Sequence, residues 1–199
     1  MTKTTEVAPL YDEIATWFDS VRNRDLSMER PYLDHMLSLL PENAAVLDLG
    51  CGTGAPLAEF FLAQNCRVTG VDLSREMLAK AQSRFPAGTW IHGDMRGLDL
   101  GRRFDAVLAW DGFFHLSRAD QRAMFPVFAA HLHAGGVLLF NTGGEDGETW
   151  GEMQGRDFYH ASLARQEYQS LLQENGFTLI THTADDPACG GRTVWLARK

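Results

Sequence analysis

Val46-Leu47-Asp48-Leu49-Gly50-Cys51-Gly52-Thr53-Gly54 joins an apolar run to an acid and three alternating glycines. The run predicts a buried strand over Ala45 to Leu49, and the glycines predict a tight turn opening a helix that Pro56 can start. Without a β-carbon, the backbone can bring amide groups close to a bound nucleoside. About twenty residues on, a second strand over Arg67 to Asp72 ends in an acid placed to accept hydrogen bonds from both ribose hydroxyls. These features also fit a nicotinamide-dependent dehydrogenase, because Gly50, Gly52 and Ala55 satisfy G-x-G-x-x-G/A. Asp48 argues the other way: a buried carboxylate there repels a pyrophosphate and attracts, directly or through water, the ammonium of an amino-acid ligand. Gly93-Asp94-Met95, after a third strand, adds an acid suited to an adenine amino group and a thioether to pack the ring.

Outward from that stretch, short apolar runs alternate with segments of helical spacing, as βαβ units with a parallel sheet require. The remaining strands are expected at Thr89 to His92, Phe104 to Trp110 and Gly136 to Thr142. Ser74 can cap a helix to about Arg84, Ser117 with Asp120 has the spacing to cap one to about His131, and Gly135-Gly136 stops it. A further helix is expected from near Ser162 to Asn175-Gly176. Phe177 to Ala184 and Arg192 to Lys199 read as an antiparallel pair turned by Pro187, Gly190 and Gly191. Gly143 to Glu148 reads as a loop. Leu10 to Ser20 and Met28 to Leu40 read as helices that could fold over the carboxyl ends of the strands, where ligands of such sheets bind.

The 199 residues suit one domain, with 1–42 as a helical lid and 43–199 as the core. Composition is globular, at 45% hydrophobic and 22% charged, and no apolar run is long enough for a membrane span. The charged start from Met1 lacks the apolar centre of a signal peptide, so a cytoplasmic monomer or homodimer is expected. A formal charge of −8 without a basic stripe disfavours nucleic acid as a partner. Cys51, Cys66 and Cys189 are too scattered for a disulfide framework or zinc site and are expected as free thiols.

The D-x-G-x-G-x-G pattern, the acids Asp72 and Asp94, and the terminal antiparallel pair resemble the class I S-adenosylmethionine-dependent methyltransferases of the small-molecule type, over nearly the whole chain. The resemblance implies an α/β, Rossmann-like, doubly wound sheet of seven strands, the last antiparallel and inserted between the fifth and sixth. It implies that Asp48, Gly50, Gly52 and Gly54 shape the methionine end, Asp72 holds the ribose, and Asp94 with Met95 meets the adenine. Tyr11, Cys51, Thr53, Leu73, Met77 and Trp110 complete the expected S-adenosylmethionine site, and a small-molecule methyl acceptor is the expected partner.

A sulfonium methyl is already activated, so transfer needs in-line positioning and a base only where the acceptor carries a proton. His115, after the fourth strand, is the first candidate base; it could equally cap the helix beginning near Ser117. Tyr159 and His160 are the second candidates, against a packed tyrosine and a surface histidine. Aromatics at Tyr11, Trp17, Phe18, Trp110, Phe113, Phe114 and Phe158 could wall an apolar or cationic acceptor, though most aromatics at helical spacing are core. His131 and His133 stand two apart, which on a helix faces them apart, so no metal site is expected. Of Asp12, Glu13, Arg22 and Arg24, one arginine could hold the cofactor carboxylate. An NAD(P)-dependent oxidoreductase and a non-catalytic, S-adenosylmethionine-binding regulator remain as alternatives.

Overall fold

The computed structural model describes residues 6–199; Met1 to Thr5, on which the expectation of no signal peptide falls, lie outside the described residues. In chain order the strands are β1 (Ala45–Leu49), β2 (Arg67–Asp72), β3 (Thr89–His92), β4 (Phe104–Ala109), β5 (Leu132–Thr142), β6 (Gly147–Met153), β7 (Arg156–Ser162), β8 (Thr178–Asp186) and β9 (Arg192–Arg198). The helices are α1 (Ala8–Val21), α2 (Arg30–Ser38), α3 (Leu57–Ala63), α4 (Arg75–Arg84), α5 (Arg118–Ala130) and α6 (Arg165–Glu174). Seven strands form one sheet in the order β3-β2-β1-β4-β5-β9-β8, with β9 antiparallel to both neighbours and the rest parallel. The expected class and the placement of the last strand therefore both appear.

Alternation along the central strands divides the core into two layers. Leu47, Val107 and Leu138 face a cluster rich in aromatics from α5 and α6, among them Phe125, Phe128 and Tyr168. Within it Phe140 and Trp195 stack at 5.9 Å between centroids and 7° between planes. Val46, Ala106 and Leu139 face the other way, toward Leu33 and Met36 of α2 and Phe61 of α3. Both expected caps form: the Ser74 and Ser117 hydroxyls each accept from a backbone N–H three residues on, at 3.1 Å.

Three expectations change. Leu33 and Met36 are fully buried against the sheet, so α2 is a core helix and not a cover over the strand ends. The loop expected at Gly143 to Glu148 is only the approach to an antiparallel hairpin, β6 with β7, in register from Gly147↔Ser162 to Met153↔Arg156. Glycines and exposed acids blur the alternation of β6, and its burial depends on distant residues. The hairpin also takes the residues expected to start the next helix, so α6 begins at Arg165. Finally, β5 starts at Leu132; Gly135 and Gly136 lie in an irregular stretch between the Phe104↔Leu132 and Ala106↔Val137 pairings.

Candidate active site

The turn after β1 runs through left-handed backbone at Gly50, Gly52 and Gly54, with φ of 77°, 53° and 75°. A side chain there would be strained, and a β-carbon on Gly50 would also come 3.2 Å from the Met95 methyl. The turn borders a cleft of about 1140 Å³ at the carboxyl ends of β1 to β4. Tyr11, Gly50, Cys51, Gly52, Thr53, Asp72, Leu73, Met77, Asp94, Met95 and Trp110 all border that cleft, as does Arg22.

Two expected members do not border it. Gly54 turns away beneath Phe85 and Trp90. Asp48 sits behind the turn, 3% exposed. Burial, reinforced by the charge of Asp72, pushes the Asp48 carboxyl up to about 7. Asp72 accepts from the Gly52 and Ser74 amides, both at 2.8 Å; burial raises its pKa and these bonds partly offset the rise. Its second lone pairs remain for hydroxyls. Asp94 is gripped by Arg96 through Nε and Nη2. Burial works to raise its pKa, and Arg96 holds it below the usual carboxylate range.

Helix α1 crosses the strand ends and is tied down on both sides. Asp12 accepts from the Ser74 hydroxyl at 2.5 Å and the Glu76 amide at 3.2 Å, Asp19 pairs with Arg84, and Glu13 pairs with Arg156 of the hairpin. Arg22 reaches Asp111 at 3.4 Å, while Arg24 pairs with Asp19 away from the cleft.

A second, more open cavity of about 1920 Å³ lies between α1, the hairpin and the start of β9. It shares Tyr11, Phe18, Arg22, Asp111 and His115 with the cleft. His115 stands at that junction, on a short 3₁₀ turn over Phe113–His115. Its Nδ1 lies 2.8 Å from the Tyr159 carbonyl, which can only accept, so Nδ1 carries the proton. Nε2 then accepts from the Tyr11 hydroxyl at 2.9 Å. Burial pushes His115 down to about 4, leaving it neutral, and burial followed by the charges of Asp111 and Asp72 raises Tyr11.

Tyr159, a candidate base, contributes only that carbonyl: its ring packs on Trp150 and borders neither cavity. His160 borders the second cavity, its ring 4.8 Å from that of His115. His131 is structural, bonded to Leu100 N and Val127 O, and the thiol of Cys51 is raised well above its ordinary pKa, first by burial.

Sequence reasoning misses Asp111, which the fold makes the centre of a charged network. It has φ 52°, receives Arg192 at 2.8 and 2.9 Å, and exchanges two hydrogen bonds with Asn141. Its burial opposes ionisation, but Arg192 holds its pKa low.

A family model described as a methyltransferase domain matches residues 46–136. The chain is 33% identical over 180 residues to dTDP-3-amino-3,4,6-trideoxy-alpha-D-glucopyranose N,N-dimethyltransferase of Streptomyces venezuelae, covering 86% of this chain and 74% of that one. The chain belongs to the class I S-adenosylmethionine-dependent methyltransferases. It is also 37% identical to a dTDP-3-amino-3,6-dideoxy-alpha-D-glucopyranose N,N-dimethyltransferase of Streptomyces fradiae over 67% of this chain, and spans only 52% of that relative. Among solved structures, an S-adenosylmethionine-bound amino pentose methyltransferase from Micromonospora echinaspora superposes with a TM-score of 0.72 at 25% identity, over 94% of this chain and 95% of that one. This methyltransferase therefore takes S-adenosylmethionine as cofactor and a small molecule as acceptor.

The cleft fits that cofactor. Besides the glycine turn and Asp72, it is bordered by Trp110, 3% exposed, whose indole Nε1 has no hydrogen-bond partner. A buried donor left unpaired is costly and calls for an acceptor atom from a ligand. No described helix is long and apolar enough to cross a membrane.

Proposed function

We propose that this methyltransferase acts on nitrogen: the acceptor amine occupies the second cavity and takes the methyl at the Tyr11–His115 junction. The neutral, hydrogen-bonded His115 carries this reading. Its Nε2 lone pair is already engaged, and with a pKa of about 4 it is too weak a base to strip an alcohol or phenol. An amine attacks with its own lone pair and sheds its extra proton after transfer. The named activities of both sugar-processing relatives are N-methylations, which agrees.

Asp72 holds the ribose hydroxyls, Asp94 and Met95 meet the adenine, and the Gly50–Thr53 turn carries the methionine end. The Trp110 N–H and Arg22, which borders the cleft and is held only loosely by Asp111 at 3.4 Å while Arg96 is gripped by Asp94, receive the cofactor carboxylate. The bound cofactor supplies an activated methyl on a sulfonium. Tyr11 and His115 orient the acceptor nitrogen, and α1 serves as the lid that keeps water out. Asp48 answers the cofactor ammonium from behind the turn. A cytoplasmic monomer or homodimer with no nucleic-acid partner is consistent with the acidic chain.

The test is incubation with methyl-labelled cofactor and fractionated small molecules. Label is expected in amines. Label confined to oxygen acceptors, or no transfer despite cofactor binding, overturns the reading.

A further inference from the structure

The register of the hairpin sorts its side chains by face. Thr149 stands opposite His160 and Gly151 opposite Phe158, so these four share one face, while Glu148, Trp150 and Tyr159 share the other. The first face borders the second cavity, where Phe158 packs on Tyr11 at 5.1 Å between centroids. Gly151 leaves His160 its place there: a β-carbon on that glycine would come 2.9 Å from Cε1 and 3.4 Å from Nδ1 of the imidazole. Nε2 lies farther from β6 than either atom.

His160 is half-buried, and neither of its ring nitrogens has a hydrogen-bond partner among the described residues. Its neighbour His115 differs, with both nitrogens engaged. The two rings stand 4.8 Å apart at 32°, and Phe114 meets His160 edge-on at 5.2 Å. Other ionisable groups around the cavity are Tyr11 and Arg22 of α1, Asp111 after β4, Asp185 of β8 and Arg192 of β9, with Glu145 and Asp146 ahead of β6. Arg22 and Arg192 both face Asp111, and Arg118 pairs with Asp146. Burial is what moves the pKa of His160, and it moves it down, so the ring keeps a lone pair at neutral pH.

We propose that His160 is the base that takes a proton, at Nε2, from an acceptor arriving as an ammonium ion. This rests on the nitrogen-acceptor reading and adds the group that makes the amine nucleophilic. His160 is one ring away from the Tyr11–His115 junction, which puts an amine nitrogen held there within reach directly or through one water. The ammonium gives its proton to Nε2 and keeps the electron pair. The amine so formed attacks, and the nitrogen–carbon bond forms as the sulfur–carbon bond breaks. Sulfur keeps that bonding pair as a neutral thioether, and the positive charge passes to nitrogen. His160 then returns its proton to water in the open cavity. Transfer to so weak a base is uphill from an ammonium and far more so from an alcohol, which matches a site for nitrogen.

The experiment is label transfer from methyl-labelled S-adenosylmethionine to the pooled small-molecule amines of a cell extract, with the intact protein and with His160→Ala and His160→Gln. At about pH 7 both variants are expected to fall about tenfold or more. Calorimetry should find their affinity for S-adenosylhomocysteine within about twofold of the parent, which shows the fold intact. Added imidazole should restore transfer in His160→Ala and leave the parent unchanged. The deficit should narrow to about twofold near pH 10, where amines lose the proton unaided. A merely packed ring would show neither rescue. Parental transfer at pH 7 in either variant, or a loss that neither imidazole nor rising pH relieves, overturns the inference. Amine labelling that is equal in parent and variants rejects the role of His160 alone, while label on oxygen in the parent rejects the nitrogen reading.

Discussion

The Tyr11 hydroxyl of α1 donates to Nε2 of His115 across 104 positions of sequence, 2.9 Å apart, where the two cavities meet. One contact thus joins the helix across the strand ends to the turn after β4. Tyr11→Phe should remove the bond and keep the ring. We expect kcat to fall about tenfold through lost orientation, with S-adenosylhomocysteine affinity within about twofold of the parent. Steady-state kinetics with calorimetry separates the two.

Burial gives His115 and Asp48 opposite effects on stability. His115 titrates near 4 in the fold against an ordinary 6.5 in the unfolded chain, which therefore binds more protons between those values. Its contribution is intact above 6.5 and is lost as pH falls toward 4, about 2 kcal/mol of it between pH 7 and 5. Asp48, near 7 against 3.8, does the reverse: its relative stabilisation is full below 3.8 and lost as pH rises through 7. The slopes oppose each other, so each is read as a difference from its own variant. Urea unfolding of His115→Gln at pH 7 and 5 should lack the first slope and Asp48→Asn the second; an unaltered slope in either variant contradicts that assignment.

Asp48 also predicts a proton count. Near pH 6 the free protein holds this carboxyl largely protonated, and an ammonium bound nearby should ionise it. Cofactor binding should then release up to one proton, detected as heats that depend on the buffer's ionisation enthalpy. Asp48→Asn should abolish the release and weaken binding.

Trp110→Phe keeps an aromatic ring but removes the unpaired N–H. Affinity for S-adenosylhomocysteine should drop by about 1 kcal/mol. Affinity for methylthioadenosine, which lacks the amino-acid end, should hold. An equal loss for both ligands would point to ring packing instead of a carboxylate bond.

Asp111→Asn leaves the Arg192 guanidinium, 22% exposed at its side chain, without its carboxylate. Removing one partner of such a pair costs about 3 kcal/mol, measurable by denaturant unfolding. Loosening of α1 through Arg22 should accompany it as faster amide exchange in that helix.

The sequence by itself determined the sheet tips. β1, β2 and β3 occupy the residues expected of them, both serine caps form, and the glycine turn with Asp72, Asp94 and Met95 borders the cleft. These features are written in short stretches, because a left-handed turn, a buried strand and a cap each depend on a few consecutive residues. Only the tertiary structure decided that α2 enters the core, that residues 147–162 pair as a hairpin, that Tyr159 lends a carbonyl while Tyr11 supplies the hydroxyl, and that Asp111 meets Arg192. Each depends on groups distant in the chain whose contact follows from how the layers close. Local propensity carries no information about a partner 81 or 104 positions away.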